Sequence, residues 1–252
     1  MTTFVLVHGS WHGGWCWRRV VNELAKLGHT VYAPTLTGLG ERAHLLSPQI
    51  NLETHICDVL GTLEVEDLSG VVLVGHSYGG IVVTAVADRV SRIAQLVYLD
   101  AVVPRDGECL YDRAPAQIKT HFEEHAKTGG DGWRVPVSAV SAQFLGLKDE
   151  RDASWVMSRL TPHPVRTFRE AVRLGATYLQ VPRAYINCIG DKPFGQPRTT
   201  QAEGVDDYHE LRTGHDAMIT APQEVSRLLH RIAGGAGAQP RAAGDAPNAA
   251  RT

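Results

Sequence analysis

The chain has 252 residues, 43% hydrophobic and 21% charged, with a formal net charge of -2, the profile of one globular domain with room for an inserted lid. So small a net charge gives no electrostatic footprint for nucleic acid or an anionic membrane surface, and neither is expected as a partner. No apolar run reaches the ~18–20 residues that span a bilayer.

The chain opens on MTTFVLVHGS, a strand already under way with no basic n-region or cleavage site, and reads as untargeted and cytoplasmic. Phe4–Val7 is an apolar run ending in His-Gly, hence a buried strand entering a turn. Trp15, Val20, Leu24 and Leu27 recur at helical spacing up to Gly28, a natural helix stop. Thr30–Ala33 is a second strand, broken at Pro34, and residues 34–48 read as loop. Leu52, Ile56, Val59, Leu60 and Leu63 mark an amphipathic helix over Leu52–Leu68. Val71–Val74 is a strand, Ile81–Val90 a helix of small residues, and Leu96–Leu99 a fourth strand.

The alternation then lapses. Residues 101–180 are rich in Pro, Gly and charge, with helical patches at Gln117–Ala126 and Val165–Leu174. An insertion of roughly 80 residues is too long for a bare loop and is expected to be a helical lid. Strands resume at Ala184–Ile189 and Tyr208–Leu211, and Pro222–Ile232 is a last helix. The expected fold is therefore α/β: a mostly parallel twisted sheet of about six strands flanked by helices, with residues 1–100 and 181–233 as core. The last 19 residues, 234–252, contain 13 Ala, Gly or Pro and are expected to be disordered. The four cysteines, Cys16, Cys57, Cys109 and Cys188, form no C-x-x-C pair and read as reduced, mostly buried side chains.

The stretch VVLVGHSYGG, Val71–Gly80, places G-x-S-x-G (Gly75, Ser77, Gly79) between a strand and a helix. A sharp strand-to-helix turn strains the central residue and projects its side chain. A β-carbon two positions either side would clash, hence the glycines. The turn also sets Ser77 at a helix N-terminus, where developing negative charge is favoured. A serine that only caps the helix is the plainer reading, which the strand and helix on either side disfavour. A nucleophilic hydroxyl needs a base, and the base an orienting acid. His215, on the Gly-preceded loop RTGHDAM, fits the base; Asp191, closing RAYINCIGD, fits the acid. Asp100, at the end of its own strand, is the rival acid and the less favoured. The loop HGSWHGGW, His8–Trp15, follows the first strand and should lie beside the elbow, making the backbone N–H groups of Ser10 and Tyr78 the expected oxyanion donors. Trp11 and Trp15 could wall the pocket or sit in the core.

With these motifs in place the chain resembles the α/β-hydrolases. Within them it is similar to the branch of plant methyl-salicylate and methyl-jasmonate esterases, hydroxynitrile lyases and related bacterial carboxylesterases. The resemblance runs over roughly residues 3–233 and is strongest at FVLVHGSWHGGWCW, VVLVGHSYGG and the Asp191 and His215 loops. It implies an α/β-hydrolase fold, a Ser77–Asp191–His215 triad with Ser10 and Tyr78 as donors, and no cofactor. Trp133, in GWRVPV, matches a lid tryptophan that lines the acyl pocket in relatives. The candidate pocket side chains are Trp11, Trp133, Phe144, Leu145, Met157 and Met218. Relatives are often dimers, so the resemblance admits a homodimer. Hydroxynitrile lyases place threonine at the position of Gly9 and lysine after the catalytic histidine. Here glycine offers no hydroxyl and Asp216 would repel cyanide, which favours ester hydrolysis. The expected partner is a small-molecule ester; lactone opening, carbon–carbon cleavage, cofactor-free oxygenation and a non-catalytic ligand receptor are the alternatives.

Other signals are weaker. HFEEH, His121–His125, matches a zinc-peptidase pattern, but no third ligand is indicated and no metal is expected. His8 and His12 are expected to hold the oxyanion loop by hydrogen bonds, and His76 to pack away from the nucleophile. Gly38–Gly40 lacks the third glycine of a dinucleotide fingerprint.

Overall fold

The computed structural model describes residues 1–190, 202 and 204–235. Asp191 and the tail from residue 236 lie outside the described residues. In chain order the strands are β1 (Thr3–Val7), β2 (Thr30–Tyr32), β3 (Val71–His76), β4 (Ile93–Leu99), β5 (Arg134–Val135), β6 (His163–Pro164), β7 (Arg183–Cys188) and β8 (Asp207–Leu211). The helices are α1 (Arg18–Lys26), α2 (Leu52–Val65), α3 (Gly79–Arg89), α4 (Leu110–Arg113), α5 (Ala116–Gly129), α6 (Glu150–Met157), α7 (Arg166–Arg169), α8 (Ala217–Thr220) and α9 (Pro222–Gly235).

Six strands form one parallel sheet in the order β2-β1-β3-β4-β7-β8, with Phe4 opposite Val72, Leu73 opposite Leu96 and Val97 opposite Ala184. Helices cover both faces of such a sheet, so its central strands must be apolar throughout. Every residue of β3 and β7 is buried, whereas edge strand β8 alternates between exposed and half-buried. Val20 and Leu24 of α1 are fully buried, each contributing about 1.5–3 kcal/mol over an exposed position. Helix α2 begins with a reciprocal cap: Asn51 Oδ1 accepts the Thr54 N–H at 2.9 Å, and Thr54 Oγ1 accepts the Asn51 N–H at 3.3 Å.

The segment between β4 and β7 contains α4 to α7 and the antiparallel β5–β6 pair. Its helical patches are only partly as read from the sequence. Helix α5 covers Gln117–Ala126, but Val165–Leu174 holds just the four-residue α7, and α6 was not anticipated. Cys57 is exposed, while the other three cysteines are buried. No helix among the described residues is long and apolar enough to cross a membrane.

The strand order positions the site. β2 lies on one side of β1, and the chain then returns through β3 and β4 on the other, so the loops leaving β1 and β3 diverge from adjacent strand ends. A crevice opens at such a switch point, at the carboxyl ends of the strands.

Candidate active site

Four loops meet in that crevice: the one after β1, the β3–α3 turn, the residues after β4, and the β8–α8 connection. At the β3–α3 turn Ser77 has φ 53, the left-handed region that costs a non-glycine residue of order 1–3 kcal/mol. The backbone there is held by its neighbours: Ser77 N–H donates to Leu99 O, and Ser77 O accepts from Gly80 and Val102 N–H. A β-carbon on Gly75 would lie 2.7 Å from Gly79 O, and one on Gly79 would lie 2.8 Å from Val7 O. Only glycine permits this turn.

Ser77 Oγ is 3.0 Å from His215 Nε2, and Asp100 Oδ2 is 2.6 Å from His215 Nδ1. The carboxylate on the imidazole is that of Asp100, the rival acid; Asp191, the preferred one, lies outside the described residues. The physical reason is strand adjacency. Asp100 directly follows β4, the strand beside β3, and its φ of 46 turns the side chain toward the elbow. Its Oδ1 accepts the Cys188 N–H at 3.2 Å, so the carboxylate is held from two sides with a side chain 1% exposed.

The loop after β1 is pinned by histidine rings, as the sequence reading expected of His8 and His12. His8 Nδ1–H donates to Gly9 O at 2.8 Å while its Nε2 accepts the Leu36 N–H at 3.1 Å. Because Gly9 O and Ser10 N–H share a peptide plane, His8 sets the direction of that N–H. His12 Nδ1–H donates to Ser10 O at 2.7 Å. Trp11, with φ 63, donates its N–H to His163 Nδ1 and its Nε1–H to Val135 O, tying this loop to the lid. Ser10 lines the cavity. Tyr78 immediately precedes α3, where N–H groups have no intrahelical acceptor. The Tyr78 hydroxyl points elsewhere, donating to His55 Nδ1 at 2.9 Å.

Burial keeps most of these rings neutral: it pushes His8 and His76 down to about 3 and His55 to about 4. His76 Nε2–H donates to the His215 carbonyl at 3.0 Å, so this ring supports the His215 loop, and it also reaches the cavity.

The cavity has about 810 Å³ of atom-free space, part of it open to solvent. Of the candidate pocket side chains, Trp11, Phe144 and Leu145 line it. Trp133, Met157 and Met218 do not. Trp133 lies under the Arg134 guanidinium at 5.2 Å, Met157 ends α6 packed half-buried on the core, and Met218 is fully buried in α8. In their place Leu110, Ile118 and Phe122 from α4 and α5 supply the apolar wall, with Arg113 and Asn187 among its polar members. Helical period marked α5 as amphipathic, which was the available signal; nothing local placed its apolar face over Ser77.

One further expectation changes. Asp216 does not face the cavity. It is fully buried with Oδ2 3.0 Å from His12 Nε2, so the argument that it repels cyanide lapses. Gly9 strengthens the same distinction, since a β-carbon there would lie 2.9 Å from both Ser77 Cβ and His76 Nδ1. The HFEEH histidines are turned to carbonyls: His121 Nε2–H donates to Ala139 O, and His125 Nδ1–H to His121 O.

The alpha/beta hydrolase family model matches residues 4–228. The chain belongs to the alpha/beta hydrolase family. It is 41% identical over 242 residues to a carbendazim hydrolyzing esterase of Nocardioides, covering 91% of this chain and 98% of that protein. It is 29% identical to methylesterase 10 of Arabidopsis thaliana, over 91% of each. Among solved structures it resembles an extracellular alpha/beta-hydrolase of a Paenibacillus species described as structurally and functionally homologous to tobacco salicylic acid binding protein 2. That match has TM-score 0.82 and 28% identity, over 92% of this chain and 98% of that one.

Proposed function

We propose that this alpha/beta hydrolase is a serine esterase that cleaves a small carboxylic ester through an acyl-enzyme, with Ser77 as nucleophile, His215 as base and Asp100 as the orienting acid. The observation that carries the reading is the continuous Ser77–His215–Asp100 hydrogen-bonded line, 3.0 Å then 2.6 Å, opening on an apolar cavity. The two relatives named above as an esterase and a methylesterase support the same reaction class.

The steps follow from the geometry. As Ser77 Oγ attacks the carbonyl carbon, His215 Nε2 takes its proton, and the Asp100 carboxylate stabilises the imidazolium through Nδ1–H. The tetrahedral oxyanion forms beside the N–H groups of Ser10 and Tyr78, the first aimed by His8 and the second at the N-terminal end of α3. His215 then returns the proton to the leaving alkoxide, and water repeats the sequence on the acyl-enzyme. The wall formed by Leu110, Ile118, Phe122 and Phe144 favours an apolar or aromatic acyl group.

Ser77→Ala is expected to lower kcat on p-nitrophenyl acetate by about 10⁴-fold or more and to abolish labelling by a fluorophosphonate probe. A variant that keeps a tenth of wild-type turnover refutes the assignment.

A further inference from the structure

At the edge of the cavity, two side chains form a pair that the acyl-transfer steps do not use. His12, on the loop after β1, and Asp216, directly after the base, are 1% and 0% exposed. His12 Nε2 is 3.0 Å from Asp216 Oδ2, and His12 Nδ1 is 2.7 Å from Ser10 O. A neutral imidazole has one N–H, yet both partners here are acceptors, so both ring nitrogens must donate and His12 is an imidazolium. From this geometry we infer that the buried His12–Asp216 ion pair is the positioning element of the site: it clamps the oxyanion loop to the base loop and neutralises the carboxylate next to His215.

The inference rests on reading Ser77 and His215 as nucleophile and base. Its elements are all on the two loops concerned. His12 fixes the Ser10–Trp11 peptide through Ser10 O, while His8 fixes the preceding one, so both peptides flanking Ser10 are set by ring N–H groups. Asp216 N–H donates to Leu145 O, which brings the lid segment bearing a cavity wall into the same unit. The ring of His12 stacks on Trp15 at 5.4 Å and cannot turn away without losing that face.

The groups facing the pair are neutral. Burial holds His8 and His76 down at about 3 and His163 well below its ordinary value, and it pushes the Cys16 thiol up. Burial also opposes charge on His12 and on Asp216, but their mutual attraction and hydrogen bond prevail, raising His12 and lowering Asp216. Asp216 Oδ1 is 4.0 Å from His76 Nε2, and His215, which Asp100 holds at Nδ1, is the neighbour that gains charge during turnover. Without its partner cation, the Asp216 carboxylate would favour the protonated state of the base.

The test compares His12→Phe, Asp216→Asn and the double variant by kcat, KM and the pH dependence of kcat/KM on p-nitrophenyl acetate. Fluorophosphonate labelling of the wild type serves as the separate check on Ser77. Phenylalanine keeps the ring on Trp15 and removes both donors. His12→Phe is expected to lose about tenfold or more in kcat with KM within about twofold. Its acid limb should move to higher pH, because the unpaired carboxylate couples to His215. Asp216→Asn, whose amide can donate to a neutral His12, is expected to lose less. In the double variant the acid limb returns to its wild-type position while kcat stays low. A folded His12→Phe with kcat within twofold of wild type, a loss carried by KM, or an unmoved acid limb overturns the inference. If His12→Phe lacks a cooperative thermal transition, His12→Gln replaces it under the same criteria, since one amide group cannot serve both acceptors. A wild type that resists the probe refutes the esterase reading instead.

Discussion

Replacing Asp100 by asparagine tests the site where its chemistry is least forgiving, because both carboxylate oxygens must accept a hydrogen bond and an amide has only one oxygen. Oδ1 accepts the Cys188 N–H at 3.2 Å and Oδ2 meets His215 Nδ1 at 2.6 Å. An asparagine must keep its one oxygen toward the Cys188 N–H, since the flipped amide would set two donors against each other in a site 1% exposed. The amide NH₂ is thereby aimed at His215 Nδ1, which must become the acceptor and carry the ring proton on Nε2 instead. That tautomer cannot take a proton from Ser77. Loss of charge assistance alone, the difference between a charged and a neutral hydrogen bond, is worth about 1–2 kcal/mol, or roughly 5–30-fold. The wrong tautomer costs far more, about 10⁴-fold in the serine-protease precedent. Asp100→Asn is therefore expected to lower kcat by about 10³–10⁴-fold while leaving KM and the thermal transition near wild type. Stopped-flow acylation with p-nitrophenyl acetate measures this directly. If Asp100→Asn keeps more than about a hundredth of wild-type kcat while Asp191→Asn loses three orders of magnitude, the assignment of the acid is refuted and the role passes to Asp191.

Further expectations follow from the same contacts. Gly9→Thr forces a β-carbon to within 2.9 Å of Ser77 Cβ and His76 Nδ1 and should cut kcat/KM about 100-fold, without creating cyanohydrin cleavage detectable by cyanide release. Phe144→Ala should raise KM for aryl esters several-fold, whereas Trp133→Ala, outside the cavity, should leave KM within about twofold; equal effects in steady-state assays would contradict the assigned wall. His8, His55, His76 and His163 have folded pKa values lowered below the unfolded histidine value of ~6.5, so below that pH the unfolded chain binds protons that the native state refuses. Stability must then rise with pH up to about 6.5 and fall on acidification toward the folded values of His8 and His76 near 3 and of His55 near 4. A melting temperature unchanged between pH about 7 and about 4.5 would count against neutral burial of these rings.

What could be read from the sequence was whatever local sterics impose. The elbow at Gly75–Gly79 is legible in part because the clash that excludes a β-carbon at Gly75 arises within five residues, although the one at Gly79 is with the distant Val7, and the apolar runs of β1 and β3 are legible because a parallel sheet buried on both faces accepts little else. The acid was not legible locally because Asp100 and Asp191 both follow strands, and the contact of Asp100 with His215 depends on the spatial neighbourhood of β3 and β4. The lid failed for a different reason. Trp133 and Met157 are large and apolar, as wall residues should be, but an aromatic can equally stack under a guanidinium and a methionine can fill the core edge. Asp216 was recognised as a difference from the lyases, yet its partner lies 204 residues away, beyond any local pattern.

The histidines around Ser77 other than His76, whose Nδ1 has no hydrogen-bond partner among the described residues, share one physical explanation. An imidazole is rigid, and its two nitrogens sit on opposite sides, so it can hold a backbone group on one side while meeting a different partner on the other. What that second partner offers decides the charge. His8 faces the Leu36 N–H and His55 faces the Tyr78 hydroxyl, both donors, so each ring needs a single proton and tolerates burial. His12 faces a carbonyl and a carboxylate, so it needs two protons, and burial of that cation requires the Asp216 anion beside it. In the proposed mechanism His215 alternates between the two cases: with Asp100 accepting from Nδ1, its Nε2 can take the proton of Ser77 and give it up again. The same side chain thus serves as neutral strut, charged clamp and proton carrier within one crevice, and the role at each position follows from whether its second neighbour donates, accepts or changes during the reaction.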